Sequence, residues 1–148
     1  MGNKCRAVLD TNVLLAAEFS SKDSSPNVEI FDFFVSDAFI LLFSDGVIDE
    51  YAQKLLDHGI EARRIEDIVF KIQKLGERVE TSFFHLSSYP KDPDDICFIL
   101  CAHNGDASHL VSYDRHLLDI DPYHPFKICQ PIPFLEDLRN YLAEGEGD

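Results

Sequence analysis

The chain has 148 residues and a formal charge of −14, from 27 acidic against 13 basic side chains, which argues against holding nucleic acid by a general basic surface. Hydrophobic residues make up 45% of it, with 12 Phe, enough for the core of one domain and too much for a disordered chain. The apolar run before Asp10 is too short for a secretory signal and no later stretch reaches a membrane span. With four scattered cysteines and no C-x-x-C pair, a cytoplasmic protein with reduced thiols is expected.

Arg6 to Leu9 is an apolar run ending in Asp10-Thr11-Asn12, which predicts a buried strand with polar residues at its carboxyl end. A helix is expected over Val13 to Glu18, then a polar loop from Ser20 to Pro26. Val28, Ile30, Phe31, Phe34 and Val35 recur at helical spacing, and Phe39 to Phe43 reads as a second buried strand. Ser44 is placed to cap a helix whose inward stripe is Val47, Ile48, Tyr51 and Leu55, ending at Gly59. Another helix is expected over Glu61 to Val79, and a strand over Phe83 to Leu86. In Asp92-Pro93-Asp94-Asp95 an N-cap, a first-turn proline and two acids at the positive end of the dipole open a largely apolar helix. Cys97 and Cys101 lie four apart on it, and with no histidine at matching spacing they are read as core residues. His109 to Tyr113 predicts a strand ending at Asp114, Phe126 to Cys129 a last strand, and Pro133 to Leu142 a final helix. Strands alternating with helices predict an α/β domain with a mainly parallel sheet, whose functional crevice lies outside the carboxyl ends of the strands.

Four acids stand out against that pattern: Asp10 and Asp114 at two strand ends, Asp95 on the inward face of a buried helix start, and Glu50 at the border of an inward helical stripe. Taken singly, most of them have a structural role available. Asp10 and Asp114 can cap the helices that follow them, Glu50 can be a solvated helix residue, and Asp92 is well explained as an N-cap. Taken together they can meet in one crevice, where carboxylates repel one another unless protonated or neutralised. No basic cluster adjoins these motifs, so a hard divalent cation, Mg²⁺ or Mn²⁺, is the economical neutraliser. It would also supply the local positive charge that so acidic a chain needs to meet a polyanion. Asn12, Asp92, Ser112 and Arg115 are the expected supporting groups, and His116 is the histidine nearest the set. No Gly-rich phosphate loop or Ser-His-Asp arrangement supports another chemistry.

The segments L-D-T-N-V-L-L (9 to 15), S-D-G-V-I-D-E-Y (44 to 51), D-P-D-D-I-C-F-I-L-C-A (92 to 102) and H-L-V-S-Y-D-R-H-L-L (109 to 118), with P-I-P-F-L-E-D-L further on, resemble the PIN-domain family, in particular its stand-alone VapC-like toxins of toxin-antitoxin systems. The resemblance implies a three-layer α/β/α fold, here over residues 1–143 with an acidic tail at 144–148. It also implies a metal-dependent endoribonuclease whose acidic metal-binding and catalytic set is Asp10, Glu50, Asp95 and Asp114. An RNA substrate, a cognate antitoxin and a homodimer are the partners implied, with no membrane. The chain departs from the family at Ser112-Tyr113-Asp114, where Thr-Gly-Asp is common; the hydroxyl is kept, and Tyr113 adds bulk at the crevice rim. Two other functions fit the residues: a catalytically weak interaction module, for which the Phe31-Asp32-Phe33-Phe34 segment looks exposed, and a metal-dependent phosphatase acting on a small phosphoester.

Overall fold

A computed structural model describes residues 4–21, 25–83, 86 and 88–146. Its centre is a five-stranded sheet of β1 (Arg6–Leu9), β2 (Ile40–Phe43), β3 (Glu77–Arg78), β4 (His109–Val111) and β5 (Lys127–Cys129), in the spatial order β3-β2-β1-β4-β5. Every pairing is parallel. The flanking helices are α1 (Thr11–Phe19), α2 (Pro26–Val35), α3 (Asp45–Asp57), α4 (Ala62–Leu75), α5 (Ile96–Asn104), α6 (Arg115–Leu118) and α7 (Pro131–Glu146). The fold is the α/β/α arrangement expected. No helix among the described residues is long and apolar enough to cross a membrane.

The chain leaves β1 for β2 and β3 on one side and returns to place β4 and β5 on the other, so the strand order reverses between β1 and β4. In open parallel sheets a crevice forms at such a switch point, outside the carboxyl ends of the strands. The strands read as unbroken apolar runs because helices cover them: Ala7, Val8, Leu9, Leu41, Leu42, Leu110 and Val111 are all buried. Helix α5 buries Phe98 through Ala102, including Cys101, and packs against β1, β2 and β4. Helix α3 starts where Ser44 Oγ accepts the Val47 N–H at 3.2 Å, a cap worth about 1 kcal/mol. It is fixed to the sheet by Tyr51, fully buried, whose hydroxyl donates to the Leu9 carbonyl at 2.5 Å. That bond lands one residue before Asp10, so the site inherits the rigidity of the core.

Three expectations change. The fifth strand is Glu77–Arg78, inside the helix expected over Glu61 to Val79; Phe83 and Leu86 lie outside any strand, and Phe84 and His85 lie outside the described residues. Two exposed charged residues carry no apolar signature, yet they pair with Leu42 and Phe43 as an edge strand. Glu77 is also held by the Arg6 guanidinium, which itself donates to the Gly105 carbonyl. The final helix extends beyond Pro133 to Leu142 in both directions, reaching Glu146, so Glu144–Glu146 are helical rather than frayed. The Phe-rich segment of α2 is not an exposed patch, since Phe34 is buried and Phe31 and Phe33 pack against the core. Lys22–Ser24 of the expected polar loop, and Gly147–Asp148, lie outside the described residues.

Gly76 explains where α4 stops. A Cβ there would stand 2.7 Å from the Ile72 carbonyl oxygen and 2.8 Å from that of Leu41, so only glycine lets the chain turn this close to β2. Gly76→Ala is expected to destabilise the protein by about 1–3 kcal/mol, the usual cost of overpacking, read as a lower urea midpoint with an unchanged slope.

Candidate active site

Strands β1 and β4 are neighbours in register, Leu9 opposite Val111, and the Asp10 N–H extends the pairing to the Val111 carbonyl at 2.9 Å. Asp10 and Asp114 therefore emerge beside each other at the sheet's carboxyl edge. A single 3-10 turn, Pro93–Asp95, leads into α5 and delivers Asp95 to the same place. The three carboxylates line a cavity of about 170 Å³ with Asp92, Thr11, Asn12, Leu15, Lys54 and His58. A larger groove of about 490 Å³ runs between the start of α3, the segment after β3 and α5. Its walls are mainly apolar and its two acids, Asp45 and Glu80, both pair with Arg78; the convergent chemistry is in the smaller cavity.

Hydrogen bonds hold the two strand ends together. Asp10 is 5% exposed and stands at the start of α1 without capping it. Instead its Oδ2 accepts from the Ser112 hydroxyl at 2.6 Å. Ser112 Oγ, fully buried, also accepts the Asp114 N–H at 2.9 Å and lies 3.5 Å from Asn12 Nδ2. Asn12 Oδ1 accepts the Tyr113 N–H at 3.3 Å. The D-T-N and S-Y-D segments thus form one interlocked unit centred on the serine hydroxyl. The Tyr113 ring is anchored away from the cavity, where its hydroxyl exchanges bonds of 2.8 and 3.0 Å with the Asn27 amide on α2.

The other acids divide their roles. Asp114 Oδ1 caps α6 by accepting the His116 N–H at 2.9 Å, and Asp92 Oδ1 accepts the Asp94 N–H at 3.0 Å; both expected caps exist in side chains that also face the cavity. Asp95 is 4% exposed and makes no cap bond. Glu50 does not line the cavity; it sits beside it on α3, paired with Lys54 Nζ at 3.4 Å. Arg115 is exposed and outside the cavity. Lys54 and His58 were missed from the sequence. The signal was available: Glu50, Lys54 and His58 recur every four residues and so share one face of α3.

Residues 6–116, three-quarters of the chain, match the family model for the PIN domain. The chain belongs to the PIN-domain family. No curated protein matches it. PIN domains form a nuclease-type superfamily of hydrolases that generally use divalent metal ions, and the matched span of this one includes Asp10, Glu50, Asp95 and Asp114.

The electrostatics of this PIN domain suit such an ion in donor type and in charge. Burial raises the Asp10 carboxyl above the usual range, against the opposing help of Ser112 and the Thr11 N–H. Asp95 is pushed up to about 7, first by burial and then by Asp10, Asp114 and Asp92. Burial also raises Glu50, which faces Asp92 and Asp94. Thr11 Oγ1 is buried without a partner among the described residues, a further oxygen at the same place. Oxygen donors that repel one another are what a hard cation binds. Among the described residues no three His, Cys, Asp or Glu side chains are already drawn together as ligands.

Proposed function

We propose that this PIN domain is a metal-dependent endoribonuclease, with Asp10, Asp95 and Asp114 holding one or two Mg²⁺ or Mn²⁺ ions and Glu50 completing the acidic set. The observation that carries the reading is the meeting of three carboxylates from two adjacent strand ends and a helix start in one small cavity, one of them raised to about 7 by burial and by its acidic neighbours. When bound, the metal activates a water and stabilises charge on the phosphoryl oxygens. The chain's own residues fix the geometry of hydrolysis, in which a water oxygen bonds to phosphorus and the bond to the leaving ribose oxygen breaks. Ser112 holds one oxygen of the Asp10 carboxylate that lines the cavity, while Asn12 keeps the β4 turn in place. An RNA strand, a cytoplasmic setting, a homodimer and a toxin role opposed by a cognate antitoxin complete the reading. The cytoplasmic setting rests on the scattered cysteines, and the others on the likeness of the L-D-T-N, D-E-Y, D-P-D-D and S-Y-D-R segments to VapC-like toxins.

The test is cleavage of structured RNAs by purified protein. Activity is expected with added Mn²⁺ or Mg²⁺ and should be abolished by a chelator. Cleavage that persists unchanged in chelator would refute the proposal.

A further inference from the structure

The cavity that the aspartates line is lined by a cation as well. Lys54 is the one lysine or arginine among the side chains lining it. Elsewhere several basic groups are committed to carboxylates on other parts of the surface: Arg6 to Glu77, Arg64 to Glu18 and Asp67, Arg78 to Asp45 and Glu80, Lys127 to Asp137. The Lys54 ammonium lies 3.4 Å from Glu50 Oε1 with a third of its side chain exposed, so its hold is loose and its head is within reach of a ligand. Its charge is felt by Asp10 and Asp95, both of which it favours in the ionised form. A surface of net charge −14 repels a phosphodiester, and a substrate phosphate brought to this cavity meets in Lys54 a permanent positive charge on its lining.

We propose that Lys54 is a substrate-positioning residue. It pairs with Glu50 and screens the aspartates while they lack a metal, and it passes to a phosphate oxygen of the substrate once a divalent cation takes over the carboxylates. The inference rests on the metal-dependent reading above. It makes lysine and metal competitors for the same negative charge, so their effects on binding are opposite in sign. Removing the lysine charge should strengthen metal binding and weaken substrate binding.

Calorimetric titration of Mn²⁺ without RNA, and separate determination of KM and kcat for RNA cleavage, test this on wild type, Lys54→Met and Lys54→Arg. Lys54→Met keeps the aliphatic stem, and its folding is checked by thermal denaturation. It is expected to bind Mn²⁺ about 3- to 10-fold more tightly, the effect of one nearby like charge, and to raise KM about tenfold with kcat changed far less. Lys54→Arg should restore both values to within about threefold of wild type, since it keeps the charge. Unchanged or weaker Mn²⁺ affinity in Lys54→Met, or an unchanged KM, overturns the inference while leaving the metal reading intact. Failure of Mn²⁺ to bind wild type or variant overturns both.

Discussion

Asp95→Asn is expected to give a metal-free protein more stable than wild type at about pH 8, by on the order of 2 kcal/mol, with the gain vanishing near about pH 4. In the unfolded chain an aspartate releases its proton at about 3.9; folded, Asp95 keeps it up to about 7 because burial and the neighbouring Asp10, Asp114 and Asp92 oppose its charge. Between those two values the native state binds the proton more tightly than the unfolded state, so stability falls as pH rises through the window and stays low above it. Asparagine has no proton to lose and carries no charge into the cluster. Asp10, Asp114 and Asp92 share that repulsion with Asp95, so the gain is smaller than the whole difference between the two values would give. For a domain of this size it corresponds to about 4–8 °C in the denaturation midpoint. His109, buried, and His103 and His124, half-buried, each held below the ordinary imidazole range by desolvation, act in the other direction, costing stability as pH falls below about 6.5. They are common to both proteins, so the difference between the two pH profiles isolates Asp95. A wild-type and variant pair with parallel profiles from about pH 4 to 8 would show that the carboxylates do not crowd one another.

If Asp10 holds the metal as proposed, Asp10→Asn should reduce RNA cleavage by about 10³-fold or more, since losing a metal-binding carboxylate would remove several kcal/mol of transition-state stabilisation. The fold should survive it, because an asparagine carbonyl oxygen can still accept from the Ser112 hydroxyl that holds Asp10 at 2.6 Å. Glu50→Gln should cost less, about tenfold, because Glu50 stands outside the cavity and is held by Lys54. The ratio of the two losses, measured as kcat/KM on one RNA with thermal denaturation as a control, reports which acids act directly. Equal losses would place Glu50 inside the cage with the aspartates.

Much of this site was legible because its signals are local. A buried run ending in D-T-N, a serine before D-G-V-I, and D-P-D-D before an apolar helix each state where an element starts or stops, and parallel topology then brings the strand ends together. What could not be read depends on tertiary placement. Glu77–Arg78 forms a strand only because β2 offers a free edge and Gly76 allows the approach; by itself the pair is two exposed charges, and the more apolar Phe83 drew the assignment instead. Ser112 had a visible hydroxyl, but its place as the shared partner of Asp10, Asn12 and Asp114 follows from the β1–β4 register. The pairing of Glu50 with Lys54 is local, at four residues' spacing on one helix. Its meaning is not, since only the packing of α3 against α1 and α5 brings that lysine to the cavity the aspartates line.

The central claim is that these carboxylates form a divalent-metal site. Thermal denaturation of wild type and Asp10→Asn with and without Mn²⁺ tests it most directly, because a ligand that binds only the native state stabilises it by about 2.7 kcal/mol at about 100 times its Kd. Wild type is expected to rise by about 5–10 °C and Asp10→Asn by little or nothing. No rise in wild type, or an equal rise in both proteins, would contradict it.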